Sequence, residues 1–442
     1  MTTKKTSAEV LLWGTTIGYV IWDTQLGCGI FEYDPHFRES GIDLSPLKMP
    51  LNVMTTWSFP QLRGPTFHGL PGMLADALPD KFGNAIIDEW LARQGRTSES
   101  FNPVERLCYT GTRGMGALEF KPSSRPLGKV KHIAVEEMVK LASQILSHQT
   151  KIHAAFKETD SKSLHDNIND LLLIGTSAGG ARAKCVIAYN ESTGEVCSGQ
   201  IDAPQGFSHW LLKLDGVINN KDKEINDPQG YGAIEYAYYL MALDSKIHMS
   251  PCRLLSENGR QHFMSKRFDR TSAGQKLHMQ SLCALGHFDF NLPRAYSYEQ
   301  AMAVIREIVT ESVNADLEQL FRRAVFNVIG RNQDDHTKNI AFLMNKEGKW
   351  RISPAYDVTY SYNPKGQWTS QHQMLLNGKA DGFSKEDLIA LAKHADIKKT
   401  KALQIVAEVI AIFLKWETYA KKAGVFEEHI LEIKKHFRRS FD

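Results

Sequence analysis

Apolar residues come in short, broken runs through the first part of the chain. Val10–Trp13 and Tyr19–Trp22 are punctuated by Gly14, Gly18, Gly27 and Gly29. Runs of that length bounded by glycine predict a small β-rich unit, with one helix near Asn84–Gln94. Two compact loops stand out in it, GLPGMLADALPDKFG at 69–83 and GTRGMGALEF at 111–120. Lys121–Lys131 is polar and contains proline, as a linker would, and Ala134–His148 has the period of an amphipathic helix. LLLIGTSAGGARAKCVIAYN then reads as a turn or strand, a Gly-rich loop and a β-rich run. HWLLKLDG reads as a strand carrying Lys213, Ile234–Lys246 as a helix, and HFMSKRFDR at 262–270 as a strand ending in a polar corner. From about position 280 the pattern is mainly helical, apart from a hairpin around Asn345–Lys349. Lys401–Trp416 and Phe426–Phe437 predict two closing amphipathic helices.

Composition narrows the class. The chain has 442 residues, 42% hydrophobic and 23% charged, which is ordinary for a globular protein of two or three domains. A net charge of +3 gives no electrostatic case for direct nucleic-acid binding. The six cysteines are scattered without a CxxC pair, which argues against a disulfide framework or zinc site and fits a reducing cytosol. The apolar run in MTTKKTSAEVLLWG is too short for a signal segment or a membrane span. The basic end (Lys434, Lys435, Arg438, Arg439) has Glu427, Glu428 and Glu432 beside it and reads as a solvated helix face.

Candidate chemistry concentrates in NVIGRNQDDHTKNIAFLMNKEGKWRISPAYDVTY, residues 327–360. Asp334 precedes Asn339 by five residues, and Asp357 follows a hairpin pattern. Phosphoryl transfer needs one carboxylate to orient the attacking hydroxyl, and an amide and a second carboxylate to hold magnesium against phosphates. Asp334 is thus the candidate catalytic residue, with Asn339 and Asp357 the candidate magnesium ligands. Lys338 could neutralise the moving phosphoryl group, while His336 reads as structural, since no second His or Cys stands at ligand spacing. GTSAGGARAK (175–184) is a candidate phosphate cradle, with Arg182 and Lys184 adding charge to backbone amides. It has neither Walker A nor G-x-G-x-x-G spacing. Lys213 has the position of an α/β-phosphate lysine and Glu235 that of its helix partner. Each residue also has an ordinary reading as a turn former, cap, hairpin glycine or edge-strand lysine. Their order along the chain favours the phosphotransfer reading.

These segments resemble the HipA family of bacterial serine/threonine kinases, the toxin halves of HipBA-type toxin–antitoxin pairs. The resemblance is carried by TSAGGARAK, HWLLK, Glu235-Tyr236, KRFDR (266–270) with LHMQSLCALG (277–286), IGRNQDDHTKN and SPAYD. FEYD (31–34), LSPL (44–47), LPGMLADALPD and GALEF resemble the family's N-terminal subdomain. The match implies an α+β, two-lobed, protein-kinase-like fold with an N-terminal β-rich subdomain and a mainly helical C-terminal lobe. The corresponding segments are 1–125, 126–268 with the Gly-rich loop and strand lysine, and 269–442 with the catalytic and metal loops. It implies that Gly179, Gly180, Ala181, Arg182, Ala183, Lys184 and Lys213 contact ATP phosphates. Lys266, Arg267 and Phe268 would form the adenine hinge, while His336, Lys338, Asn339, Tyr356 and Asp357 complete the nucleotide and magnesium site. Ser177 stands where the family carries an autophosphorylated serine. A phosphate there would place about two negative charges in the cradle and block ATP. The implied substrate is a protein such as an aminoacyl-tRNA synthetase, with arrested translation, slow growth or persistence as the consequence. The implied partner is a helix-turn-helix HipB-like antitoxin, through which DNA is met only indirectly. The scattered cysteines and the short N-terminal run lead to the expectation of a cytoplasmic protein away from membranes. Two positions depart from the family pattern: Lys266 stands where a glutamate often opens the hinge, and Ala183 replaces a frequent proline. A small-molecule phosphotransferase and a catalytically silent corepressor are the rival readings.

Overall fold

Alternating apolar positions in the first third form a five-stranded antiparallel sheet. β1 (Ser7–Leu12), β2 (Thr15–Asp23), β3 (Cys28–Tyr33), β4 (Thr56–Ser58) and β5 (Leu118–Lys121) lie in the order β4-β3-β2-β1-β5. The computed structural model describes residues 6–122, 134–148, 182–199, 203–217 and 230–441. A second antiparallel sheet contains β6 (Lys184–Asn190), β7 (Val196–Ser198), β8 (Phe207–Lys213), β9 (Cys252–Glu257) and β10 (Arg260–Lys266) in the order β7-β6-β8-β10-β9. β8 is central, so Lys184 of β6 and Phe263 of β10 both face Lys213 in register. A third, three-stranded sheet pairs β11 (His278–Ser281) with β12 (Ala341–Met344) and β12 with β13 (Trp350–Ile352). Between Met344 and Trp350 the Asn345 side chain accepts from the amides of Glu347 and Lys349, each at 3.0 Å, which closes the expected hairpin.

The helices form where period and caps agree. Lys81–Arg93 begins at Asp80, whose carboxylate accepts from Gly83 N at 2.7 Å. Val135–His148 carries two glutamates in its first turn. Tyr231–Asp244 and the long Val313–Gly330 are buried over most of their faces. The helix expected over 401–416 ends three residues early, as Lys399–Phe413, and Trp416 opens a second helix, Trp416–Ala423. The break turns Trp416 into the core, where its indole donates to Ile430 O at 2.9 Å. No Gly or Pro announces it in the sequence. No helix among the described residues is long and apolar enough to cross a membrane.

The sheets occupy separate stretches of chain, but the apolar cores do not. One core runs from Val10, Phe31 and Phe120 through Leu74 and Leu282 to Phe321, Phe326 and Trp416. The other joins Phe82, Ile86 and Leu91 of the helix Lys81–Arg93 to Met138, Trp210 and Leu212. The N-terminal unit therefore packs on both lobes. Gly72 marks one junction: a Cβ there would run into the Ala284 carbonyl, and its amide donates to His287 Nε2 at 3.0 Å. Gly116 marks another, at φ +74°, with its amide 2.7 Å from Asp269 Oδ2.

Candidate active site

The helix Val313–Gly330 ends as Arg331 takes φ +55°, which turns the chain into the loop bearing Asp334. Gln333 N donates to Ser361 O and Ser361 N to Arg331 O, both at 3.0 Å, so the loop is stitched to the segment that follows Asp357. Asn332 donates to Asn327 Oδ1 at 2.9 Å and to Asp357 O at 3.4 Å. Asp334 and Asp335 then diverge. The Asp335 side chain is 2% exposed and takes Tyr298 OH at 2.7 Å, His372 Nδ1 at 2.8 Å and Gln373 N at 2.8 Å. Burial pushes its carboxyl up, but His372 and Tyr298 outweigh burial and hold it below the usual range. Asp334, 26% exposed, faces a cavity and accepts Trp368 Nε1 at 2.7 Å on Oδ1. A single turn of 3-10 helix, Thr337–Asn339, brings Asn339 back so that its amide nitrogen donates to Asp334 O at 2.8 Å.

Lys213 ends β8 and forms the centre of a buried charge cluster. Its Nζ lies 2.5 Å from Glu235 Oε1 and also donates to Asp357 Oδ1. Burial would lower the ammonium pKa, but Asp357 and Glu235 reverse that and raise it. Burial likewise opposes ionisation of Asp357, yet Lys213 and Lys184 hold it well below the carboxylate range. Glu235 is raised by burial, with Lys213 only partly offsetting. Asp357 takes φ +52°, a left-handed conformation that aspartate tolerates better than most residues, and its side chain stays 25% exposed to the cavity. Beside it, buried Lys184 lies 3.9 Å from Asp80 Oδ2, and burial pushes that carboxyl up to about 6 against the pull of Lys184.

Two cavities meet at Lys213, Lys338, Asn339 and Asp357. One is a narrow slot of about 80 Å³ lined by Met73, Met115, Met249, Phe263 and Phe268. The other is a polar chamber of about 450 Å³ containing Asp334, His336, Arg182 and Lys184. Phe268 and Tyr356 close the slot with rings 5.6 Å apart, and Tyr356 OH donates to Lys338 O at 2.6 Å. His336 packs on Phe290 with ring centroids 5.1 Å apart, and Lys338 Nζ lies 5.5 Å from the same ring. Arg182 stacks 4.3 Å over Tyr231, and Ala183 O accepts from Leu214 N at 3.0 Å.

Two side chains of the expected hinge turn elsewhere. Lys266 Nζ reaches Glu191 at 3.1 Å, while its backbone N–H donates to Pro251 O at 2.8 Å. Arg267 forks onto Asp269 at 2.9 and 2.6 Å and donates to Gly114 O at 3.1 Å. Ser177, Gly179, Gly180 and Ala181 lie outside the described residues. Sequence reasoning missed the chamber's far wall, supplied by the N-terminal unit through Thr66, His68, Asp80, Lys81 and Asn84. It also missed Trp368. The LPD at 78–80 was the signal available for Asp80; for Trp368 there was none.

The residues fit magnesium and a nucleotide triphosphate. Asp357 and Asn339 are hard oxygen donors at the mouth of the slot, in the small number that magnesium takes when phosphates complete its shell. Lys213, Lys184 and Arg182 surround the adjoining chamber with positive charge.

The chain matches the HipA N-terminal domain over residues 8–121 and the HipA-like C-terminal domain over residues 176–416. Two Sinorhizobium fredii (strain NBRC 101917 / NGR234) proteins named as kinases by assignment, Y4dM and Y4mE, are similar to it. Y4dM is 28% identical over 35% of this chain and Y4mE 22% over 44%. The chain spans about two-fifths of the length of these curated relatives, 38% and 42%. A chain of the Shewanella oneidensis MR-1 toxin–antitoxin complex of HipA, HipB and operator DNA superposes with a TM-score of 0.64. That alignment covers 97% of this chain and 95% of the other at 16% identity, which shows a shared fold.

Proposed function

The chain belongs to the HipA family, and on that footing we propose that it is a Mg·ATP-dependent serine/threonine protein kinase, the toxin of a type II toxin–antitoxin module. The observation that carries the reading is convergence. Asp334, Asn339 and Asp357 from one stretch of chain and Lys213 from a strand more than one hundred residues earlier face one chamber, at the point where an apolar slot opens into it. The slot has the lining of a base-binding site, and the chamber has the charge a triphosphate needs. Bound Mg·ATP supplies the transferable phosphoryl group. For the chain's part, Lys213 and Lys184 neutralise phosphate oxygens, Asp357 and Asn339 offer oxygens to the cation, and Asp334 orients the acceptor hydroxyl and takes its proton.

The finer assignments rest on the family resemblance. They are a translation component such as an aminoacyl-tRNA synthetase as substrate, autophosphorylation at Ser177, a cytoplasmic site of action, and a HipB-like helix-turn-helix partner. The Shewanella complex, which contains HipB and operator DNA, supports that last pairing as an analogy. The test is intact-mass spectrometry of dephosphorylated protein after incubation with Mg·ATP, beside Asp334→Ala. One added phosphate in the wild type alone, mapped to Ser177, is expected. No addition and no ATP binding would sink the kinase reading in favour of a silent binding protein. A labelled metabolite in cell extract, with no labelled protein, would move it to a small-molecule phosphotransferase.

A further inference from the structure

We propose that Trp368 is a positioning residue for Asp334; the proposal rests on the kinase reading above. The indole Nε1–H donates to Asp334 Oδ1 at 2.7 Å, and the ring lines the chamber in which an acceptor must sit. His336 Nε2 is 3.8 Å from the same oxygen, beyond hydrogen-bond reach. An indole suits the task. It is a donor only, on a rigid body with two side-chain torsions, so it pins one carboxylate oxygen without competing as a base. A carboxylate pinned at Oδ1 meets an incoming hydroxyl in one orientation, and such pre-organisation is the main lever open to a phosphotransfer enzyme.

The loop carrying Trp368 is fixed by the neighbouring aspartate. Gln373 N and His372 Nδ1 both bond the Asp335 carboxylate at 2.8 Å, and Gln373 Nε2 donates to Trp368 O. Arg294 N donates to Gln373 O at 2.8 Å and His372 N to Ala380 O at 3.0 Å, tying the same loop to its surroundings. Asp335 thus anchors the loop from the buried side, and the loop returns through Trp368 to hold Asp334. The backbone at Trp368 is therefore held against the buried Asp335 network, which sets where the part-buried indole meets Asp334.

The test uses the full chain with Mg·ATP as the only added substrate, reading ADP release and phosphate incorporation. Trp368→Phe keeps the ring and removes the donor. We expect its single-turnover rate at saturating ATP to fall about 10- to 100-fold with the ATP concentration for half-maximal rate unchanged, the signature of an interaction used in the transition state. Trp368→His, which restores a ring N–H, recovers part of the loss. The Trp368 indole resonance, assigned by its absence in Trp368→Phe, shifts in Asp334→Ala whether or not the protein turns over. An unchanged rate in Trp368→Phe overturns the proposal. So does a faster one, which would make the indole a lid over Asp334, and so does an indole resonance indifferent to Asp334→Ala. A wild-type protein that releases no ADP defeats the kinase reading itself, and the resonance then decides the Trp368 contact alone.

Discussion

Two aspartates, the buried Asp269 and the partly exposed Asp357, are each held by cations and differ in which cations hold them. Asp269 receives a bidentate Arg267, one arm of Arg270 at 2.9 Å and the Gly116 amide at 2.7 Å. Burial opposes its ionisation, but Arg267 and Arg270 hold its carboxyl well below the usual range. Asp357 is bonded by Lys213 and faces Lys184, with its side chain 25% exposed to the chamber. A guanidinium fork is planar and locks geometry, whereas an ammonium is a point charge on a flexible stem. The first arrangement is a fixed joint between the N-terminal unit and the residues after β10. The second can let go: Lys213 keeps Glu235 if Asp357 turns to a cation. The difference teaches where this molecule is built to hold and where it is built to exchange partners.

The contrast predicts opposite phenotypes for one chemical change. Asp357→Asn removes an oxygen donor of full charge, and phosphate transfer should drop about a thousand-fold in a labelled-ATP assay. Its unfolding free energy should move by less than about 1.5 kcal/mol, because the Lys213–Glu235 pair survives. A large stability loss in this variant would mean that the Asp357 node is also a fixed joint. Asp269→Asn strands two arginines in the interior and should cost about 3–5 kcal/mol in urea unfolding. Here the pH dependence has a definite sign. The folded-state value of Asp269 is depressed below 3.8, so its stabilisation is present above 3.8 and lost as pH falls toward the folded value. The gap between wild type and Asp269→Asn should therefore narrow below about pH 4. A gap constant down to pH 2 would show that the charge is not what stabilises.

How much of this was legible in the sequence follows from distance along the chain. Asp334, Asn339 and Asp357 sit within one short stretch, so spacing alone placed them together. The strand ending at Lys213 and the helix bearing Glu235 each carry a local pattern, and their order supplied the pairing. The HipA-like two-lobed fold followed from the same motifs. What spacing cannot show is a wall contributed from far away. Asp80 reaches Lys184 across more than one hundred residues, and Trp368 comes from a loop with no period of its own. Nor does a motif say which way a side chain turns. KRFDR located the strand end correctly, but Arg267 turns to Asp269 and Lys266 to Glu191.

Lys266 gives the smallest expected effect and the sharpest test of that last point. Its departure from the family pattern would matter if the side chain faced the base. Instead Nζ pairs with Glu191, both side chains more than a third exposed, and lies 5.7 Å from the Trp210 ring centroid. Lys266 and Arg267 line the slot, and their backbone is fixed there through Lys266 N to Pro251 O and Arg267 N to His209 O at 2.8 and 2.9 Å. Surface pairs of this kind are worth at most about 1 kcal/mol, and the backbone bonds are untouched by truncation. Lys266→Ala should therefore change the Kd for ATP by less than about three-fold in titration calorimetry, as a surface pair turned toward Glu191 predicts. A ten-fold loss would mean that the ammonium leaves Glu191 and turns to the nucleotide, which would add a movable lysine to the exchanging side of the comparison.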